Sequence, residues 1–238
     1  MRLKKLFKGW SAFEIILLIL GLTVPATIGI AFGSGVLEIL AATLSVTQAL
    51  LIAKGKISGY LLCLVSMILY AIVCFNNAVY GEVIMIAVSY PIILWGIRTW
   101  IKNKRIDTKK GQVVVINKIS RKEVAILIAS QAVMGIGYFF LLQALNTQQL
   151  VVSTILFAWS VVAAYLLARR SSLSLIAFFI NDIIGIVLWA LIIAGGTTSA
   201  AAVLVMPMMY LLNDGYGIFM WRKLRANQSK KQQSEVTP

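Results

Sequence analysis

Eight apolar runs, each long enough to cross a bilayer, take up most of this 238-residue chain. They fall at 13–32, 35–53, 57–77, 80–101, 123–145, 150–168, 172–194 and 198–222. About 20 helical residues span a ~30 Å hydrocarbon core, and an unpaired backbone polar group is costly there, so each run reads as a transmembrane helix. Apolar residues make up 60% of the chain and charged residues only 13%, against roughly 25% charged in an average soluble domain. The expected fold class is an all-α membrane protein of about eight transmembrane helices. Most connections are short, so consecutive helices should be antiparallel neighbours.

A net charge of +14 would suit a nucleic-acid binder if the bases were gathered on one face. Here they sit between the apolar runs. With Arg2, Lys4, Lys5 and Lys8 in the cytoplasm, eight crossings put four further groups on the same side: Lys54 and Lys56, the loop from Lys102 to Lys122, Arg169 and Arg170, and the tail from Arg222 to Lys231. The opposite loops, near 33, 79, 147 and 196, contain no Lys or Arg. This positive-inside pattern predicts a multi-pass protein of the cell membrane with both termini cytoplasmic, surrounded by lipid and with no nucleic-acid partner. A signal peptide over 1–32 is the rival reading of the first run. That run is longer than an ordinary signal sequence's apolar region, and Trp10 stands where an interfacial anchor would.

Catalytic and metal chemistry find little footing. The chain has no histidine, which removes His-based triads, zinc sites and histidine proton relays together. Cys63 and Cys74 are eleven residues apart within one apolar run and match no CxxC motif. Lys54-Gly55-Lys56 lacks the glycine spacing of a phosphate-binding loop. The chain is not expected to be an enzyme or to need a cofactor or metal.

The two halves repeat. Segments 35–101 and 150–222 each hold three runs, each starting outside and ending inside, and their last runs close on Gly96…Trp100 and Gly217…Trp221. Their first inner turns carry matching bases, Lys54 and Arg170. An odd number of helices per unit makes the repeats parallel, a 3+1+3 plan with the substrate site near mid-membrane. The expected division is an N-terminal segment with an extra helix (1–33), a three-helix repeat (34–101), a basic cytoplasmic loop (102–122), a linker helix (123–146), a second repeat (147–222) and a disordered basic tail (223–238).

Polar residues inside the runs are the candidate site, because a buried charge near mid-membrane costs at least ~3 kcal/mol. Asp182 lies midway along 172–194 with Asn181 beside it, and Gly185 and Trp189 follow on its helical face. A carboxylate, a gap and an indole suit a flat polar ligand; a purely structural contact with a neighbouring helix is the alternative. Tyr210 and Asn213 share a stripe of the last run, with Asp214 one step round. Ser66 and Tyr70 form an i, i+4 pair, and Gln48, Tyr90, Trp159 and Ser160 add polarity on neighbouring helices. Glu38 and Glu82 fall near run ends, where the outer interface should solvate them.

The runs Ala53-Lys54-Gly55-Lys56-Ile57-Ser58-Gly59-Tyr60, Leu69-Tyr70-Ala71 and Tyr80-Gly81-Glu82-Val83, with Asp182, Trp189 and Tyr210-Leu211-Leu212-Asn213 leading to Gly217 and Trp221, resemble the PnuC family of nicotinamide riboside transporters over roughly residues 35–225. The resemblance implies a fold related to the SWEET transporters and facilitated diffusion without ATP or a coupling ion. It further implies trapping of the nucleoside by cytoplasmic phosphorylation, and a homotrimer. Several positions depart from the family's pattern: Ser66, Ile86, Ile93, Ile97, Leu173-Ser174-Leu175 and Pro207 stand where polar or aromatic residues are usual. Replaced contacts redirect selection, so deoxynucleosides, thiamine and riboflavin are alternative substrates. A substrate-capture subunit of an ATP-driven importer is the other transport class of similar size and hydrophobicity.

Overall fold

The computed structural model describes residues 10–77, 79–107 and 111–236; Arg2, Lys4, Lys5, Lys8, Lys109 and Lys110 lie outside them. Eight long helices run through these residues: α1 (Ala12–Ala31), α2 (Val36–Ala53), α3 (Ile57–Asn76), α4 (Tyr80–Lys102), α5 (Arg121–Ala144), α6 (Leu150–Ala168), α7 (Leu173–Ala194) and α8 (Ala201–Val236). All are long and apolar enough to cross a membrane. From α1 to α7 their bounds agree with the apolar runs to within two residues.

The exception is α8, which continues as helix through Val236 where the sequence predicts a disordered tail. Lys, Arg, Gln and Ala dominate the extension and are good helix formers. The extension also has a partner. Gln228 donates Nε2 to the Val114 carbonyl (3.1 Å) and accepts from the Ile116 N–H (3.1 Å). These belong to the basic loop, which holds a short antiparallel hairpin of β1 (Lys104–Asp107) and β2 (Gly111–Val114).

That loop ties the halves together. The Val114 N–H donates to the Gly55 carbonyl (3.3 Å) in the α2–α3 turn, and the Asn117 N–H donates to the Arg170 carbonyl (3.0 Å) in the α6–α7 turn. Arg170 Nη1 in turn donates to the Val115 carbonyl (3.0 Å). The two turns correspond: each passes through one left-handed residue, Gly55 at φ +70 and Arg170 at φ +59. Glycine adopts this conformation freely, whereas arginine needs such local bonds to hold it. The described basic segments therefore gather at one end of the bundle.

Six helices close into a ring in the order α2, α3, α4, α6, α7, α8 and back to α2. The first helix of each half thus meets the last helix of the other. Outside the ring, α1 packs on α2 and α8, and α5 packs on α6. Helix α1 starts at a capping box in which Ser11 Oγ accepts from the Glu14 N–H and Glu14 Oε2 accepts from the Ser11 N–H. Glu14 also pairs with Lys54 Nζ (2.5 Å) from the α2–α3 turn and accepts from the Tyr216 hydroxyl (2.7 Å) of α8. Lys54 lies over the Trp10 ring at 4.3 Å.

Helices α2 and α3 approach closely at Gly59, where a Cβ would sit 2.7 Å from the Ile52 backbone nitrogen and 2.9 Å from the Gln48 carbonyl oxygen. Backbone atoms cannot swing aside as a side chain can. Gly59→Ala is expected to cost about 2 kcal/mol, read as a lowered thermal midpoint in detergent; an unchanged midpoint would show that the helix pair separates freely.

Candidate functional site

A cavity of about 210 Å³ lies on the axis of the ring. Every one of the six ring helices contributes a stripe to its wall, whereas α1 and α5 contribute nothing. Two apolar layers bound it. Toward the basic end are Tyr60, Trp100, Trp221, Leu167 and Leu175. Toward the far end are Ala41, Val73, Val79, Leu188 and Ile192.

The stripe of α7 is the one expected from its sequence: Asn181, Asp182, Gly185 and Trp189 all face the cavity. Asp182 is 3% exposed, and its Oδ2 has no hydrogen-bond partner among the described residues. Asn181 Oδ1 accepts from the Ser160 hydroxyl (2.8 Å). Gly185 leaves a gap that Pro207 of α8 approaches, 3.4 Å from where a Cβ would be. The indole of Trp189 packs near the Tyr70 ring, with centroids 6.4 Å apart.

Ser66, Tyr70, Gln48 and Tyr210 also line the cavity as expected. Gln48 Oε1 is buried without a hydrogen-bond partner among the described residues. Tyr210 interacts with both Ser45 and Gln48.

Three expected residues lie elsewhere. On α8 the wall is Val203, Met206, Pro207, Tyr210 and Asp214, so the stripe passes through i+4 from Tyr210. Asn213, at i+3, is fully buried beside it, its amide atoms without a hydrogen-bond partner among the described residues. Trp159 is turned away from its neighbour Ser160 and donates Nε1 to the Ala177 carbonyl (2.7 Å). Tyr90 is half-buried and one step from Ser89, which does face the cavity. A 100° turn per residue separates each pair.

Glu82 needs correction. The first turn of α4 is not at a solvated interface; Glu82 is 3% exposed and lines the cavity. Tyr138 of α5 donates its hydroxyl to the Gly81 carbonyl and covers that helix start. Tyr70 donates to Glu82 Oε2 at 3.4 Å. The α4 stripe of Glu82, Met85, Ile86, Ser89 and Ile93 has helical spacing, a signal the sequence carried. Ser66, Ile86, Ile93, Leu175 and Pro207, read from the sequence as departures from the pattern it resembles, lie on the wall.

A ring of transmembrane helices around a mainly apolar cavity with a few carboxyl, amide and hydroxyl groups on its wall, with an apolar layer toward each end, is the build of a membrane transporter rather than an enzyme. Residues 35–223 match the family model described as nicotinamide mononucleotide transporter, and the chain belongs to that family. It is similar to the nicotinamide riboside transporter PnuC of Neisseria mucosa, 27% identical over 223 residues covering 93% of this chain and 85% of the relative. The protein of the same description from Haemophilus influenzae is 25% identical over 225 residues, covering 94% and 96%. Among solved structures, the crystal structure of the vitamin B3 transporter PnuC superposes with a TM-score of 0.83 at 27% identity, over 94% of this chain and 96% of that one.

Proposed function

We propose that the protein carries nicotinamide riboside across the cell membrane by facilitated diffusion along the axis of the helix ring. One observation carries this reading: among the described residues the cavity wall has three carboxyl side chains, Glu82, Asp182 and Asp214, and no Lys or Arg. Nicotinamide riboside bears a fixed positive charge on its pyridinium ring and presents ribose hydroxyls as donors. The mononucleotide of the family description adds a phosphate of roughly −1.5 to −2 charge. Like charges brought together in a dry site cost several kcal/mol, so the wall favours the riboside over the nucleotide.

In this reading Trp189 and Tyr70 flank the flat ring, while Asp182, Asn181, Gln48, Tyr210 and Ser66 take the polar groups. Asn213, Tyr90 and Trp159 support neighbouring helices. The exchange of first and last helices between halves supports a 3+1+3 plan of parallel repeats, with α1 as the extra helix and α5 as the linker. The gathering of bases at one end supports cytoplasmic termini under the positive-inside bias. A homotrimer, with cytoplasmic phosphorylation trapping the product, completes the proposal.

Two measurements test it. Purified protein in vesicles, with no ATPase present, should equilibrate labelled nicotinamide riboside without a proton or sodium gradient; no uptake would instead support a capture subunit. A thermal-shift panel of nicotinamide riboside, the mononucleotide, thiamine, riboflavin and deoxynucleosides should give the riboside the largest stabilisation. A larger shift with another compound keeps the transporter and replaces the substrate. Asp182→Asn is expected to weaken riboside binding about tenfold or more, by loss of charge-assisted hydrogen bonds. Unchanged affinity in a folded variant removes Asp182 from the site.

A further inference from the structure

Two acidic poles face the cavity, and their surroundings differ. Asp182 and Asp214, on α7 and α8, share a side-chain hydrogen bond, which needs a proton between them, so a ligand meets them as one linked acidic pair. Glu82 stands apart on α4. Among the described residues its carboxyl group accepts one hydrogen bond, from the Tyr70 hydroxyl at a long 3.4 Å. Tyr70 in turn packs near the Trp189 indole. A buried carboxyl group bonded to one aromatic residue that packs near a second, with no basic side chain among the described residues of the same wall, has the two attractions that select an organic cation: direct charge and the negative faces of π systems.

We propose that Glu82 is the specificity-determining residue that reads the ligand's positive charge, holding a cationic heteroaromatic ring against Tyr70 and Trp189. The hydroxyl-bearing part of the same ligand then lies toward Asp182 and Asp214. This deepens the transport reading and rests on it. Removing the charge of Glu82 abolishes the preference for the cation without abolishing recognition of the ligand's shape.

The test uses a pair of ligands of nearly the same size. Nicotinamide riboside carries the pyridinium charge; its reduced 1,4-dihydro form is neutral. Affinities are measured calorimetrically on the purified full-length protein in detergent. Wild type should bind the cation about tenfold or more tightly than the neutral form, the scale of one cation–π or charge contact in a desolvated site. Glu82→Gln should lower affinity for the cation to about that of the neutral form and leave the neutral form nearly unchanged. Glu82→Asp, which keeps the charge, should keep most of the preference. Asp182→Asn should weaken both ligands alike.

Equal affinities in wild type overturn the charge-reading role while leaving riboside transport intact. Binding of neither riboside removes the transport reading itself. A Glu82→Gln variant that loses both ligands in equal measure makes the residue structural and overturns the proposal. Should that variant not fold, retained cation preference in Tyr70→Phe, with lost preference in Tyr70→Leu, supports the aromatic cage; unchanged preference in both overturns it.

Discussion

Lys54→Met is expected to destabilise the detergent-solubilised protein by about 3–5 kcal/mol, as measured by thermal or denaturant midpoint. Lys54 is 8% exposed and Glu14 3% exposed. Taking away the ammonium leaves a carboxylate surrounded by protein, held among the described residues by hydrogen bonds from Ser11 and Tyr216. The lost contact with the Trp10 ring adds to the effect. Glu14→Gln combined with Lys54→Met removes both charges and should recover more than half of the loss. A midpoint unmoved by the single change would mean that Glu14 reaches water, so that α1 is loosely seated. The comparison separates a packed extra helix from a passive one.

Trp100→Ala should cost a similar amount, about 3–5 kcal/mol, by a different route. The indole is fully buried, meets the Tyr60 ring edge-on at 4.8 Å and lies 5.9 Å from the Trp221 ring. Its Nε1 donates to the Leu167 carbonyl (3.0 Å), joining the end of α4 to the end of α6. Truncation opens a void in the layer beneath the cavity and takes one hydrogen bond from that carbonyl, which keeps the one from the Arg170 N–H (2.8 Å). Trp100→Phe keeps the ring and loses the donor, so it should cost only about 1–2 kcal/mol. A small loss in the alanine variant would show that Tyr60 and Trp221 collapse into the gap. Ligand binding, measured alongside, should survive Trp100→Phe, since Trp100 does not line the cavity.

Helices that span membranes are easy to read because each must hide its own backbone, and the apolar runs marked α1 to α7 closely. The α7 face was legible for a related reason: Asp182, Gly185 and Trp189 stand out against an otherwise apolar helix. Phase was harder on α8, where Tyr210, Asn213 and Asp214 offer two stripes of equal polarity. Only the contact with α2 and α7 decides between them. Depth failed at Glu82, because distance from a helix end does not report what covers that end. The covering residues, Tyr138 and Tyr70, come from other helices. The Glu14–Lys54 pair joins residues forty positions apart, and nothing local announces it. The α8 extension followed local propensity, yet its docking through Gln228 depends on the loop more than one hundred residues earlier.

The ring order has a consequence for how the protein is made. Helix α8, made after the other five helices of the ring, closes it by seating between α2 and α7. Until then Ser45 and Gln48 of α2 and Asp182 of α7, which look toward α8's place on the cavity wall, stand at an open seam. Polar groups facing hydrocarbon are costly, and exposed unfinished surfaces are where misassembly begins. A nascent chain interrupted before Ala201 therefore has most of its membrane spans but no sealed interior. Survival of the protein in the membrane hinges on α8, which also brings Asp214 to the cavity wall.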